Sequence, residues 1–245
     1  MISPALLARA QQVLPPNLRY TQAYGMTETS TVATLLGPAD HTLDGPHRER
    51  LRSAGRAVAH SEVKIVDVDD AELPPFAPGQ ILVRGGHIST GYWNKPVETR
   101  ETFVDGWIRT GDVGYLDEHG YLFVQDRIKD MIVSGGENVY STEVEAAIAE
   151  HPAVDAVAVV GLPDELWGER VHAVVVLHEG EAATAEEIRE HTRQLIAHYK
   201  APRSVNFVSR LPLSGAGKVL KRSIKEYYSG GKTSRPGVHS LQWNG

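Results

Sequence analysis

The chain has 245 residues, 41% of them hydrophobic, enough to bury one large core or two modest ones, which excludes wholesale disorder. Its formal net charge of −6 argues against a nucleic-acid surface, which needs clustered Lys and Arg to displace counterions from phosphates. The absence of cysteine rules out disulfide frameworks, thiolate metal sites and a cysteine nucleophile, and suits the reducing cytoplasm.

Pro4 opens a helical pattern, with Ser3 as its N-cap and Leu6, Leu7, Ala10, Val13 and Leu14 recurring until Pro15-Pro16 stops it. An amphipathic helix with nothing before it to pack on belongs inside a larger domain, so the chain reads as a fragment or truncated product. Between residues 55 and 125 the pattern turns to short β-like runs, Val63 to Val68, Gln80 to Arg84 and Tyr121 to Gln125. Asp117-Glu118-His119-Gly120 supplies a hairpin turn before the last run.

Beyond Gly136 helices and strands alternate. Ser141-Thr142 with Glu145 predicts a capping box, then come strands Ala156 to Val160 and Ala173 to Leu177, and a second capped helix starts at Thr184 with Glu187. A short strand Val205 to Val208 and a helix from Leu220 to Tyr228 complete the pattern. The expected fold is α+β, a β-rich subdomain over 1–128 followed by a small α+β domain over 129–228, with a flexible polar tail over 229–245. No apolar run approaches the roughly 20 residues of a membrane span, and the start has no signal-peptide pattern. The eleven histidines form no zinc-type pair.

Four segments carry chemistry. Tyr24-Gly25-Met26-Thr27-Glu28 offers an aromatic face, a glycine that permits close approach, a hydroxyl and a carboxylate, the donor types that an adenine nucleotide with magnesium requires; its bland reading is a turn with an exposed Glu. Asp112 follows a Thr110-Gly111 turn after the strand-like Trp107-Ile108-Arg109, and is either a ligand for hydroxyl pairs or a turn cap. Asp126 to Asp130 runs into Ser134-Gly135-Gly136-Glu137-Asn138, where Arg127 and Lys129 read alone as solvated charges and the two glycines as a plain turn. Lys218 ends the glycine-containing stretch Pro212 to Gly217, which is not a P-loop, because Pro212 stands at the first glycine position and Val219 follows the lysine.

In this order the four segments resemble the adenylate-forming superfamily, which includes acyl-CoA ligases, luciferases and peptide-synthetase adenylation domains. The resemblance covers residues 1 to about 228 and makes the β-rich part the end of a large AMP-binding domain and the rest its small C-terminal lid domain. It implies an ATP-dependent acid–CoA ligase that activates a carboxylic acid, fatty or aromatic, as acyl-AMP and transfers it to coenzyme A. ATP or AMP, Mg2+ and CoA are the implied cofactors and cosubstrates. Tyr24 would stack on adenine, Gly25 would let the backbone approach the nucleotide, Thr27 would contact a phosphate, Glu28 magnesium, Asp112 the ribose hydroxyls, and Arg127 the ribose and phosphate. Lys129 would be the hinge, Gly135 and Gly136 would line the pantetheine arm, and Lys218 would stabilise charge in adenylation. Gly215 and Ala216 stand where family members often carry Pro and Ser. The superfamily's Thr/Ser/Gly-rich phosphate loop does not occur in this chain, which leaves open a non-catalytic adenylate- or CoA-binding remnant, another kind of adenylation domain, a homo-oligomer, or a complementing N-terminal chain.

Overall fold

The computed structural model describes residues 4–215 and 217–230; Ser3, Ala216 and the tail beyond Gly230 lie outside the described residues. The chain divides into two compact units, Met1–Ile128 and Lys129–Gly245.

The first unit opens with helix α1 (Pro4–Val13), which buries Leu7 and leaves Leu6 and Val13 exposed. Strands β1 (Gln22–Tyr24), β2 (Thr34–Leu36) and β3 (Arg56–Ala57) form a small antiparallel sheet. Strand β4 (Ser61–Val66) pairs with β5 (Gly79–Gly85). The expected run to Val68 stops at Val66, because Asp67 Oδ1 accepts the N–H groups of Asp69 and Ala71, both at 2.9 Å, and turns the chain, leaving Val68 in solvent. After helix α2 (Pro96–Thr102) and the short β6 (Phe103–Val104) comes β7 (Trp107–Leu116), which lies between β5 and β8 (Leu122–Arg127). The Asp117–Gly120 hairpin forms, with Gly120 at φ 78°. Ile65, Ile81, Val83 and Leu122 pack with Ala33 and Ala54 as this unit's core.

In the second unit β9 (Ile132–Ser134) and β10 (Glu137–Val139) make a tight hairpin, followed by helix α3 (Ser141–Ala149). Long strands β11 (Val154–Asp164) and β12 (Gly168–Leu177) pair antiparallel, and helix α4 (Ala185–Leu195) leads to β13 (Ser204–Phe207), which joins β12 in parallel. Helix α5 (Lys221–Ser229) closes the unit. The strands are apolar on both faces. Val159, Val171, Ala173 and Val175 face α3 and α4 through Val144, Ile148 and Ile188, whereas Ala158, Val160, Val174 and Val176 face Ile224 and Tyr228 of α5. Successive side chains point to opposite faces, so a sheet covered on both sides reads as a continuous apolar run.

One cap differs from expectation. Tyr140, one residue before the expected Ser141-Thr142, stands at the N-cap of α3 without a side-chain cap, and Glu145 ties the helix to β11 and α5, accepting from Val159 N–H at 2.8 Å and pairing with Lys221 at 2.7 Å. At α4 the expected box is present, Thr184 and Glu187 each bonding the other's backbone N–H.

Candidate functional site

The Tyr24–Glu28 segment leaves β1 and enters a single 3-10 turn, Thr27–Thr29. Thr29 closes it, its hydroxyl accepting from Met26 N–H at 2.9 Å and donating to the Met26 carbonyl at 3.0 Å. Ser30 and Thr31 then adopt φ of 48° and 83°. Left-handed backbone at a β-branched threonine costs on the order of 1–3 kcal/mol and survives only where neighbours hold it. The segment preceding α2 does so: Ser30 Oγ donates to the His87 carbonyl at 2.6 Å, and Ser89 N–H donates to the Glu28 carbonyl at 2.8 Å. Gly25 lies beneath the same turn, where a Cβ would sit 2.2 Å from the Thr31 carbonyl oxygen. The close approach that this glycine permits is therefore by the chain's own backbone.

Tyr24 and Asp112 meet. The tyrosine hydroxyl donates to Asp112 Oδ2 at 2.7 Å, and Arg127 Nε stands 3.6 Å from Oδ1. Asp112 and Arg127 are register partners across β7 and β8. No turn precedes Asp112; β7 runs on through Thr110-Gly111 and bulges there, since β5 advances from Gln80 to Leu82 while its partners run from Val113 back to Arg109. Gly111 takes φ 75° and Thr110 Oγ1 donates to the Ile81 carbonyl at 2.8 Å, so the bulge re-aims Asp112 while the strand continues. Burial, and then the Asp112 charge, push the Tyr24 hydroxyl far above its ordinary pKa, so it stays a donor. An aromatic ring, a carboxylate and a guanidinium thus converge beside the Thr27–Glu28 turn.

Glu28 is also engaged: the Tyr92 hydroxyl donates to its Oε1 at 2.6 Å. Tyr92 was not among the residues singled out from the sequence, where Gly91-Tyr92-Trp93 carries no spacing that ties it to a carboxylate 64 positions away.

The remaining predicted residues belong to the second unit. Lys129 is exposed at its first position. Gly135 and Gly136 form the two-residue loop of the β9–β10 hairpin with φ of 64° and 85°, the conformation of a type I′ turn. Trp167 covers Gly135, so that a Cβ there would meet the indole at 2.8 Å, and Arg203 lies 4.1 Å over the same indole. Sequence reasoning missed both residues. Lys218 ends a second tight hairpin, closed by the Leu213–Val219 bridge, by Ser214 N–H to the Lys218 carbonyl at 2.7 Å and by Lys218 N–H to Ser214 Oγ at 3.1 Å; its side chain is exposed.

Two family models match this chain, that of the AMP-binding enzymes over residues 1–93 and that of the AMP-binding enzyme C-terminal domain over residues 143–218. The chain belongs to the AMP-binding enzymes. The first match contains the Tyr24–Glu28 turn and Tyr92, the second ends on Lys218, and Asp112 and Arg127 lie between them. Relatives of this chain include a fatty acid–[acyl-carrier-protein] ligase of Streptomyces coeruleorubidus, 40% identical over 94% of this chain and 43% of the relative. A feruloyl-CoA synthase of Amycolatopsis is also 40% identical, over 89% of this chain and 43% of the relative. Among solved structures, the o-succinylbenzoate coenzyme A synthetase of Bacillus subtilis with its acyl-adenylate intermediate superposes with a TM-score of 0.82 and 34% identity, over 96% of this chain and 45% of that one. The same synthetase in complex with ATP and magnesium ion matches with a TM-score of 0.79 and 35% identity, over 89% of this chain and 43% of that one. The chain thus spans less than half the length of the curated relatives it matches. Among the described residues no helix is long and apolar enough to cross a membrane.

Proposed function

We propose that this chain carries the nucleotide-clamping and acceptor portions of an ATP-dependent acid–CoA ligase, acting on a fatty or aromatic carboxylic acid in the cytoplasm. The observation that carries the reading is the Tyr24–Asp112–Arg127 constellation beside the Glu28 turn. Tyr24 offers its ring to adenine, Asp112 accepts from the ribose hydroxyls, and Arg127 sets a positive charge against the phosphates. Asp112 is held for this by the Tyr24 hydroxyl, so ring and carboxylate are positioned by one hydrogen bond.

A cation fits beside Glu28. Its Oε1 is held by Tyr92, Oε2 and the exposed Thr27 hydroxyl are hard oxygen donors, and no cluster of three acidic or histidine residues occurs among the described residues. That sparse donor set suits magnesium, which keeps several waters and binds through one carboxylate plus substrate phosphates. When bound with ATP, magnesium neutralises phosphate charge.

In the first half-reaction a carboxylate oxygen attacks the α-phosphorus, the bond to the bridging β-phosphate oxygen breaks, and pyrophosphate leaves. Lys218 supplies the charge that stabilises this transfer. In the second, the CoA thiol loses its proton to solvent, its sulfur attacks the acyl carbon, and AMP departs; Gly135, Gly136 and the Trp167–Arg203 pair are assigned to the acceptor arm. Movement at Lys129 exchanges the two roles. A second reading keeps the adenylation half and changes the acceptor to a carrier-protein thiol, and is favoured by the likeness to the Streptomyces ligase.

ATP–pyrophosphate exchange with a panel of aliphatic and aromatic acids tests the reading. Lys218→Ala is expected to lower exchange about 100-fold while sparing thioester formation from supplied adenylate. Equal loss in both steps refutes the exchange of roles. Product analysis with free CoA against carrier-protein acceptors separates the two readings.

A further inference from the structure

Glu28 sits on the strained turn, and a glutamate there has free torsions that a metal-binding carboxylate must lose on binding. Tyr92 removes that freedom in advance. Its own placement is over-determined: its N–H donates to Thr99 Oγ1 at 2.9 Å, Thr99 Oγ1 in turn donates to the Lys95 carbonyl at 2.7 Å, and its ring meets Phe103 edge-on with centroids 5.5 Å apart. Gly91, at φ 152°, lets Thr99 close over the backbone, since a Cβ there would lie 2.5 Å from the threonine methyl. Helix α2 therefore serves as the base on which Tyr92 stands, and the tyrosine hydroxyl reaches Glu28 Oε1 at 2.6 Å.

We infer that Tyr92 is a positioning residue for the metal-binding carboxylate of Glu28: it fixes one carboxylate oxygen and presents the other to the cation, with α2 as its anchor. This rests on the adenylation reading above, in which Glu28 holds magnesium. Partners of this kind orient a ligating carboxylate, and their removal costs about 10- to 100-fold in metal affinity. The Ser89–Glu28 backbone bond and the Ser30–His87 bond hold the turn independently, so deletion of one hydroxyl leaves the turn in place.

The test is a manganese titration of the whole chain with ATP, read by electron paramagnetic resonance, on the wild type, Tyr92→Phe and Glu28→Gln. Tyr92→Phe keeps the ring against Phe103 and is expected to weaken Mn2+ retention about tenfold with an unchanged thermal unfolding midpoint. In pyrophosphate exchange it should raise the Mg2+ concentration at half-maximal rate and leave the plateau rate within about twofold. Unchanged Mn2+ affinity in Tyr92→Phe, with loss in Glu28→Gln, would overturn the inference and leave the adenylation reading standing. Unchanged affinity in Glu28→Gln as well would remove the magnesium assignment itself.

Discussion

At the scale of single residues, His172 of β12 shows how burial sets a group's chemistry. The ring is 2% exposed, Nδ1 meets Ser204 Oγ at 2.8 Å, and Nε2 has no partner among the described residues. Burial, reinforced by Arg170, lowers its pKa from 6.5 to about 4. Below pH 6.5 the unfolded chain takes up a proton that the folded unit refuses, so stability is full above 6.5 and falls until pH reaches about 4. The loss from this group amounts to about 3 kcal/mol at an order of magnitude. Urea unfolding of the wild type and His172→Gln between pH 7 and 4 checks this, since the variant should lose that component of the slope. Asp112 provides a second test. Asp112→Ala removes the proposed ribose acceptor and the Tyr24 partner together, and is expected to raise the Kd for ATP about 10- to 100-fold in equilibrium dialysis.

Elements differ in how much of them could be read in advance. The alternating core of β11 and β12 was legible as apolar runs, and the Thr184–Glu187 box of α4 as a local signal, because both depend on neighbours in sequence. Thr184→Ala should accordingly cost about 1 kcal/mol in chemical denaturation, while Glu145→Gln should cost more, through Val159 and Lys221, than any cap would. The N-cap of α3 falls at Tyr140, just before the expected Ser141-Thr142, and the bonds of Glu145 to Val159 and Lys221 were not legible, since these partners lie on a strand and a helix far along the chain. The bulge at Thr110–Asp112 was read as a turn, since an irregular ladder is defined by the partner strand β5. Among the candidate residues of the first unit, Tyr24, Glu28, Asp112 and Arg127 were singled out from their motifs and Tyr92 was not; nor, in the second unit, were Trp167 and Arg203, each of the three being defined by a contact that no local pattern encodes. Gly136→Ala offers a check on the β9–β10 hairpin: with φ at 85° it should destabilise the second unit by about 1–2 kcal/mol, and Gly135→Ala by more, because the added methyl also meets Trp167.

For the molecule as a whole, the second unit has cores on both faces of its own sheet. Residues 129–230 expressed alone should therefore fold cooperatively, giving a dispersed amide NMR spectrum and a single thermal transition, whereas a collapsed spectrum would mean that these cores are insufficient. Within that unit β13 is the only strand laid parallel to its neighbour among the described residues. Parallel pairing with β12 requires the chain to close the full excursion through α4 before any of the four register contacts, His172 with Ser204 through Val175 with Phe207, can form. The β11–β12 hairpin meets no such delay. We expect the hairpin and α3 to form early and β13 to zip on late as the polypeptide emerges and folds, with the Lys218 hairpin and α5 still to come behind it.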